Sequence, residues 1–193
     1  SWLTEFGGNM IKTTINQGQL LLGRPCLPML SDAFNFAKKY LNTENLENMG
    51  EMFSPGDKDV FSKLETIKFG NFNTKKVTDM NSLFAGCQKL TNIDLSNFDT
   101  GNVLSMRGMF SGCTGLTSID VSHFDTRKVE NMDRMFSDCS NIQSLDLSTF
   151  DTGNVVDMSE MFDGCSSLPR LTFPGSINTG QVKDMRRLVA NCG

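Results

Sequence analysis

Ile93-Asp94-Leu95-Ser96-Asn97-Phe98-Asp99-Thr100-Gly101-Asn102-Val103, followed by Met106, Met109, Phe110 and Cys113, is the stretch whose reading decides the fold. Its first part alternates apolar and polar residues, the period of a strand with one covered face. Its second part places apolar residues three and four apart, the period of a short helix. The same phrase returns at a fixed distance. Val77, Val103, Val129 and Val155 are separated by 26 residues each, and Val182 follows after 27. Met80, Met106, Met132, Met158 and Met185 form a second column in this register. Phe84, Phe110, Phe136 and Phe162 form a third, which Val189 ends. Cys87, Cys113, Cys139, Cys165 and Cys192 form a fourth. Leu90, Leu116, Ile142 and Leu168 follow, then Leu95, Val121, Leu147 and Phe173, while Phe98, Phe124 and Phe150 close each unit. A period of this length across so many columns is the signature of a repeat array.

A degenerate copy precedes these units. Leu46, Met49, Met52 and Phe53 open it, and Leu64, Ile67, Phe69 and Phe72 resume it after an insertion within 54–63. Pro55-Gly56-Asp57 marks that insertion as a surface turn.

Each unit predicts one short strand, a turn and one short helix. In Leu90-Thr91-Asn92-Ile93-Asp94-Leu95 the spacing is L-x-x-L-x-L, the strand pattern of leucine-rich repeats. Ile93 and Leu95 then point inward, and Asn92, Asp94 and Ser96 outward. Thr100, Thr126 and Thr152 stand where a helix N-cap belongs. Gly112 and Gly164 stand where a left-handed residue ends a helix, with Asp138 in the same place. A single unit cannot bury its apolar side, so the units must stack. The predicted fold is a right-handed α/β repeat solenoid, leucine-rich-repeat-like, with parallel strands in about five coils and a terminal helix, over residues 46–193. Residues 1–45 read as an N-terminal cap, with a strand at 19–22 and a helix at 31–41.

The residues 93–103 and the following Met-x-x-Met-Phe-Ser-Gly-Cys of 106–113 resemble the repeats of BspA-type leucine-rich-repeat surface proteins, including mycoplasma-type surface lipoproteins. The resemblance covers roughly residues 46–193. It implies surface display and adhesion or protein binding, and it brings no catalytic residues.

Composition narrows the function classes. The 193 residues carry a net charge of −4, against a nucleic-acid partner, which needs a basic face. No apolar run approaches the roughly 20 residues of a membrane helix. The chain opens on Ser1 with no leader-like segment, which leaves open an extracellular or surface location, or an organelle after removal of a targeting segment. Five of the six cysteines share one column at the core-facing end of the predicted helix, and we read them as buried free thiols. Disulfides between neighbouring coils are sterically allowed. There is no Cys-x-x-Cys, and His123 is the only histidine, read as lying on a solvated face, so neither a metal nor a cofactor is expected. No phosphate loop or nucleophile elbow is present, so no enzyme activity is expected either.

Two aspartate columns remain. Asp99, Asp125 and Asp151 read as turn formers that accept backbone amides. Asp94, Asp120 and Asp146 lie in the strands and point outward, and nothing structural calls for stacked like charges. With Asn92, Ser96, Ser118, Ser122, Ser144 and Ser148 they form the candidate binding face, suited to a protein partner carrying positive charge, with a divalent cation as the weaker alternative. The alternative reading is a structural subunit of a larger assembly, docked through the uncapped C-terminal end.

Overall fold

The computed structural model describes residues 43–55, 64–69, 72–175 and 177–192. Residues 1–42 of the N-terminal cap, with Cys26 and the predicted strand and helix, and the turn residues 56–57 fall outside the described residues.

Six coils begin at Leu46, Val77, Val103, Val129, Val155 and Val182, and each places its apolar columns over those of the last. The backbone ties them at one polar column. Asn48, Asp79, Ser105, Asn131, Asp157 and Asp184 form successive parallel bridges through all six coils. The strand column is shorter. The strands β1 (Thr66–Lys68) and β2 (Asn92–Asp94) pair in parallel, with Ile67 opposite Ile93. The strands β3 (Leu145–Asp146) and β4 (Leu171–Thr172) do the same, with Leu145 opposite Leu171. The third coil joins this face only through a bridge between Ser118 and Ser144. The predicted parallel pairing at a 26-residue step is therefore present, in four strands and one bridge.

The predicted helices are not. No helix occurs among the described residues; the segments after the valines are chains of tight turns. In the third coil the amides of Met109, Ser111 and Cys113 donate to the carbonyls of Met106, Gly108 and Phe110, three residues back, at 3.0–3.1 Å. The alternate amides leave the coil. Those of Met106, Gly108, Phe110 and Gly112 donate to Asn131, Asp133, Met135 and Ser137 of the next coil, at 2.7–3.0 Å. A helix would spend every amide on its own chain, four residues back. Here half of them build the contact between coils, so each repeat is stitched to its neighbour by backbone as well as side chains. Left-handed residues make the alternation possible. Gly108 and Gly112 have φ of 58° and 70°. Asp138 and Arg134, which hold these places in the next coil, take 58° and 54°. Gly112 and Asp138 are thus left-handed as expected, but inside a turn chain rather than past a helix end. An apolar spacing of three and four satisfies both geometries, which is why periodicity pointed to the helix.

The threonine caps are corrected for the same reason. Thr100 Oγ1 donates to the carbonyl of Asp125 at 3.1 Å and accepts the Asp125 amide at 2.8 Å. Thr126 does the same with Asp151, at 2.9 and 2.7 Å. These buried hydroxyls bridge coils and cap nothing in their own.

The core runs along the axis of the stack. Phe53, Phe84, Phe110, Phe136 and Phe162 stack in near-parallel planes, with centroids 5.5–6.0 Å apart. Phe69 closes the row edge-on at one end and Phe173 at the other. Nine methionines, from Met49 to Met161, are fully buried around this row. Cys87, Cys113, Cys139 and Cys165 are buried free thiols, as the column implied, and Cys192 is half-buried. Each Sγ donates to the carbonyl of a phenylalanine one coil earlier, Cys113 to Phe84 at 3.2 Å and Cys139 to Phe110 at 3.1 Å. Burial pushes the Cys165 thiol up to about 12 and raises those of Cys113 and Cys139 as well, so all three remain protonated and unreactive.

Candidate functional site: the exposed strand face

The strand face is set by the period of two. Ile93 is half-buried and Leu95 buried, while Asn92, Asp94 and Ser96 are exposed. Ser118, Asp120 and Ser122 in the third coil, and Ser144, Asp146 and Ser148 in the fourth, are exposed in the same register. All nine predicted face residues therefore lie at the surface. The pairing of Ser118 with Ser144 sets two of the coils side by side. The column ends change as the sequence indicates, with Lys68 opposite Asp94 and Thr172 opposite Asp146.

The expectation that nothing structural calls for the strand aspartates is overturned. Each one caps the turn that leaves its strand. Asp94 Oδ1 accepts the Ser96 amide at 3.1 Å and the Ser96 hydroxyl at 2.7 Å. Asp120 Oδ1 accepts the same groups of Ser122 at 3.0 and 2.7 Å. Asp146 Oδ1 accepts the Ser148 amide at 2.8 Å. Aspartate offers this local acceptor two residues ahead of itself wherever the chain must turn. The hydrogen bonds hold the carboxyls of Asp120 and Asp146 below the usual carboxylate range, through the Ser122 hydroxyl in the first case and the Ser148 amide in the second. Both stay charged under all ordinary conditions. Both side chains are exposed. The face thus presents a row of fixed carboxylates between small hydroxyls. No group of three potential metal ligands converges anywhere among the described residues.

His123 borders this face. It is exposed, as read from the sequence, but not loose: its Nε2 lies 2.7 Å from the Leu95 carbonyl, and its ring meets Phe124 edge-on.

The second aspartate column performs its predicted role. Asp99 Oδ1 accepts the Gly101 amide at 3.1 Å, Asp125 the Arg127 amide at 3.2 Å, and Asp151 the Gly153 amide at 2.8 Å. Arg127 also binds Asp125 through its guanidinium, at 2.6 Å, and this holds the Asp125 carboxyl down at about 2.

Two further polar sets escape single-unit reading. The bridge column forms the same kind of turn, with Asn131 Oδ1 accepting the Asp133 amide at 2.8 Å and Asp157 Oδ1 that of Ser159 at 2.9 Å. Its signal is a short polar residue always two places after the valine. The other set is a run of ion pairs between coils. Arg107 meets Asp133 at 2.8 Å, Arg134 meets Glu160 at 2.9 Å, and Arg187 meets Asp163 at 2.7 Å. Opposite charges one repeat apart are the signal for the first two. The last coil, predicted as a docking end, presents Met185 and Val189 at 43% and 56% exposure.

Stacked 26-residue coils, a core shared between them and a solvated face of short side chains define a repeat solenoid. The chain belongs to the family described as "Mycoplasma protein of unknown function, DUF285", which matches residues 58–172 and 91–193. No curated protein matches it significantly. Among solved structures it is similar to a leucine-rich cell surface protein from Faecalibacterium prausnitzii, at 22% identity over 53% of this chain and 25% of that one, with a TM-score of 0.40. A leucine-rich repeat protein from Eubacterium ventriosum matches 61% of this chain with 29% of its own, at 23% identity and a TM-score of 0.43. A leucine-rich repeat protein of T. pallidum matches 62% with 69% of its own, at 17% identity and a TM-score of 0.33. The chain spans about a quarter of the length of the first two proteins. No helix among the described residues is long and apolar enough to cross a membrane.

Proposed function

We propose that this chain is a non-enzymatic, surface-displayed module that binds a protein partner through its strand face. The row Asp94, Asp120, Asp146 carries this reading. Three carboxylates are held in place by their own turns, at the one register where the repeat sets acidic and hydroxyl groups together toward solvent. Preformed groups lose little freedom on binding, and a fixed row of one sign selects a partner of the other. The face is open and shallow, which suits a protein surface and excludes no water, so it lacks what catalysis at a buried acid pair requires.

Replacing Asp94, Asp120 and Asp146 together with asparagine keeps the oxygen that caps each turn and removes the charge. The partner is first captured from the native source, and its affinity is then measured by titration. Binding should weaken and lose most of its dependence on salt. Unchanged affinity and salt slope would move the contact to another surface.

A further inference from the structure

A second surface lies on a different flank, along the column that follows the valines. An open groove of about 430 Å³ runs beside it, lined by Glu47, Lys76, Thr78, Asn102, Leu104 and Lys128. Leu104 is 45% exposed and is the one exposed large apolar side chain within residues 72–175. Its place is polar in four of the five other coils, where Glu47, Thr78, Glu130 and Lys183 stand, and Val156, which fills it in the fifth coil, is half-buried, so the coil does not need an exposed apolar residue there. The two lysines are also distinctive. Lys76 Nζ donates to Asn45 Oδ1, and Lys128 Nζ to Asn102 Oδ1, both at 2.6 Å. Arg107, Arg127, Arg134, Arg186 and Arg187 instead each meet a carboxylate. Neutral amide oxygens position the two ammonium groups without cancelling their charge, and each ammonium keeps two further donors. The groove therefore holds two ammonium groups against one carboxylate, Glu47, on a chain whose net charge is −4.

We propose that this groove docks an acidic stretch of a partner protein, with one apolar side chain against Leu104 and carboxylates on Lys76 and Lys128. The apolar contact supplies burial, and the two fixed positive charges choose the sign of the segment. This surface does not depend on the strand face, and its test is separate.

The repeat supplies mild substitutions. Leu104→Thr copies Thr78, and Lys76→Asn with Lys128→Asn copies Asn102 and Asn154, so each variant places a residue the same column already accepts. The probe is a labelled twelve-residue peptide of alternating Glu and Leu, titrated by fluorescence anisotropy into the full chain. Peptides with Lys for Glu, and with Ser for Leu, serve as comparisons. The Glu and Leu peptide should bind, weaken with salt and lose at least about tenfold in affinity in either variant. The triple asparagine variant of the strand face should bind it unchanged. Failure of the Glu and Leu peptide to bind overturns the proposal, as does equal binding of either comparison peptide or indifference to both variants. Sedimentation of the chain alone identifies the remaining occupant. A dimer that the lysine variant abolishes would make a second copy, through its acidic strand face, the resident of the groove and would overturn an external partner.

Discussion

Thr126 shows at the scale of one residue how a coil is held to the next. Its hydroxyl gives a hydrogen bond to the Asp151 carbonyl and takes one from the Asp151 amide. Thr126→Val keeps the shape and leaves both backbone groups unmet, so the chain should lose about 1–3 kcal/mol in urea unfolding, while Thr126→Ser should lose much less. An unchanged midpoint for the valine variant would deny the threonines their bridging role. Asp125 makes a second test. Its carboxyl is held at about 2, against an ordinary 3.8, first by the Arg127 hydrogen bond. The stabilisation is complete above the ordinary value and vanishes as pH falls from there toward 2. Stability of the parent chain should therefore drop more steeply over that window than that of Asp125→Asn, as read from thermal midpoints at stepped pH. The identity of these residues was legible as columns. Their partners were not, because an Asp or Thr beside a turn serves its own chain or the neighbouring coil equally well on paper.

The turn chain is the element that sequence reading mistook. Val103, Met106, Met109, Phe110 and Cys113 are all buried, as a helical stripe would bury them. The backbone decided otherwise, because coils stacked in strict register can satisfy alternate amides across the contact. Glycines four residues apart, Gly108 and Gly112, carried the signal: one suffices to end a helix, whereas two permit left-handed turns in succession. Gly112→Ala should cost about 1–2 kcal/mol, the penalty of a side chain in the left-handed region, since the Cβ itself would meet Gly86 at an ordinary 3.6 Å. Asp138→Gly, the reverse change at the matching place, should cost nothing. Equal effects of the two changes in denaturant titrations would argue against the left-handed geometry. The strands were easier to read, since a period of two has no competitor; only their length, two or three residues, was less than the pattern suggested.

For the whole molecule, the period of 26 made the stacking legible before any coordinate. One repeat cannot close a core, and the phenylalanine row confirms that the core belongs to the stack rather than to any unit. The candidate face followed from the same register, and all nine of its residues are exposed. What the register could not convey is that its aspartates are already engaged with their own serines, because that depends on how the chain leaves the strand. The stack is held by alternate amides crossing between coils, and scalar couplings across hydrogen bonds report this directly. In an isotope-labelled sample the Phe110 amide should couple to the carbonyl carbon of Met135, 25 residues ahead. Coupling to Met106 instead, four residues back, would mean a helix in each coil and would contradict the stitched stack described here.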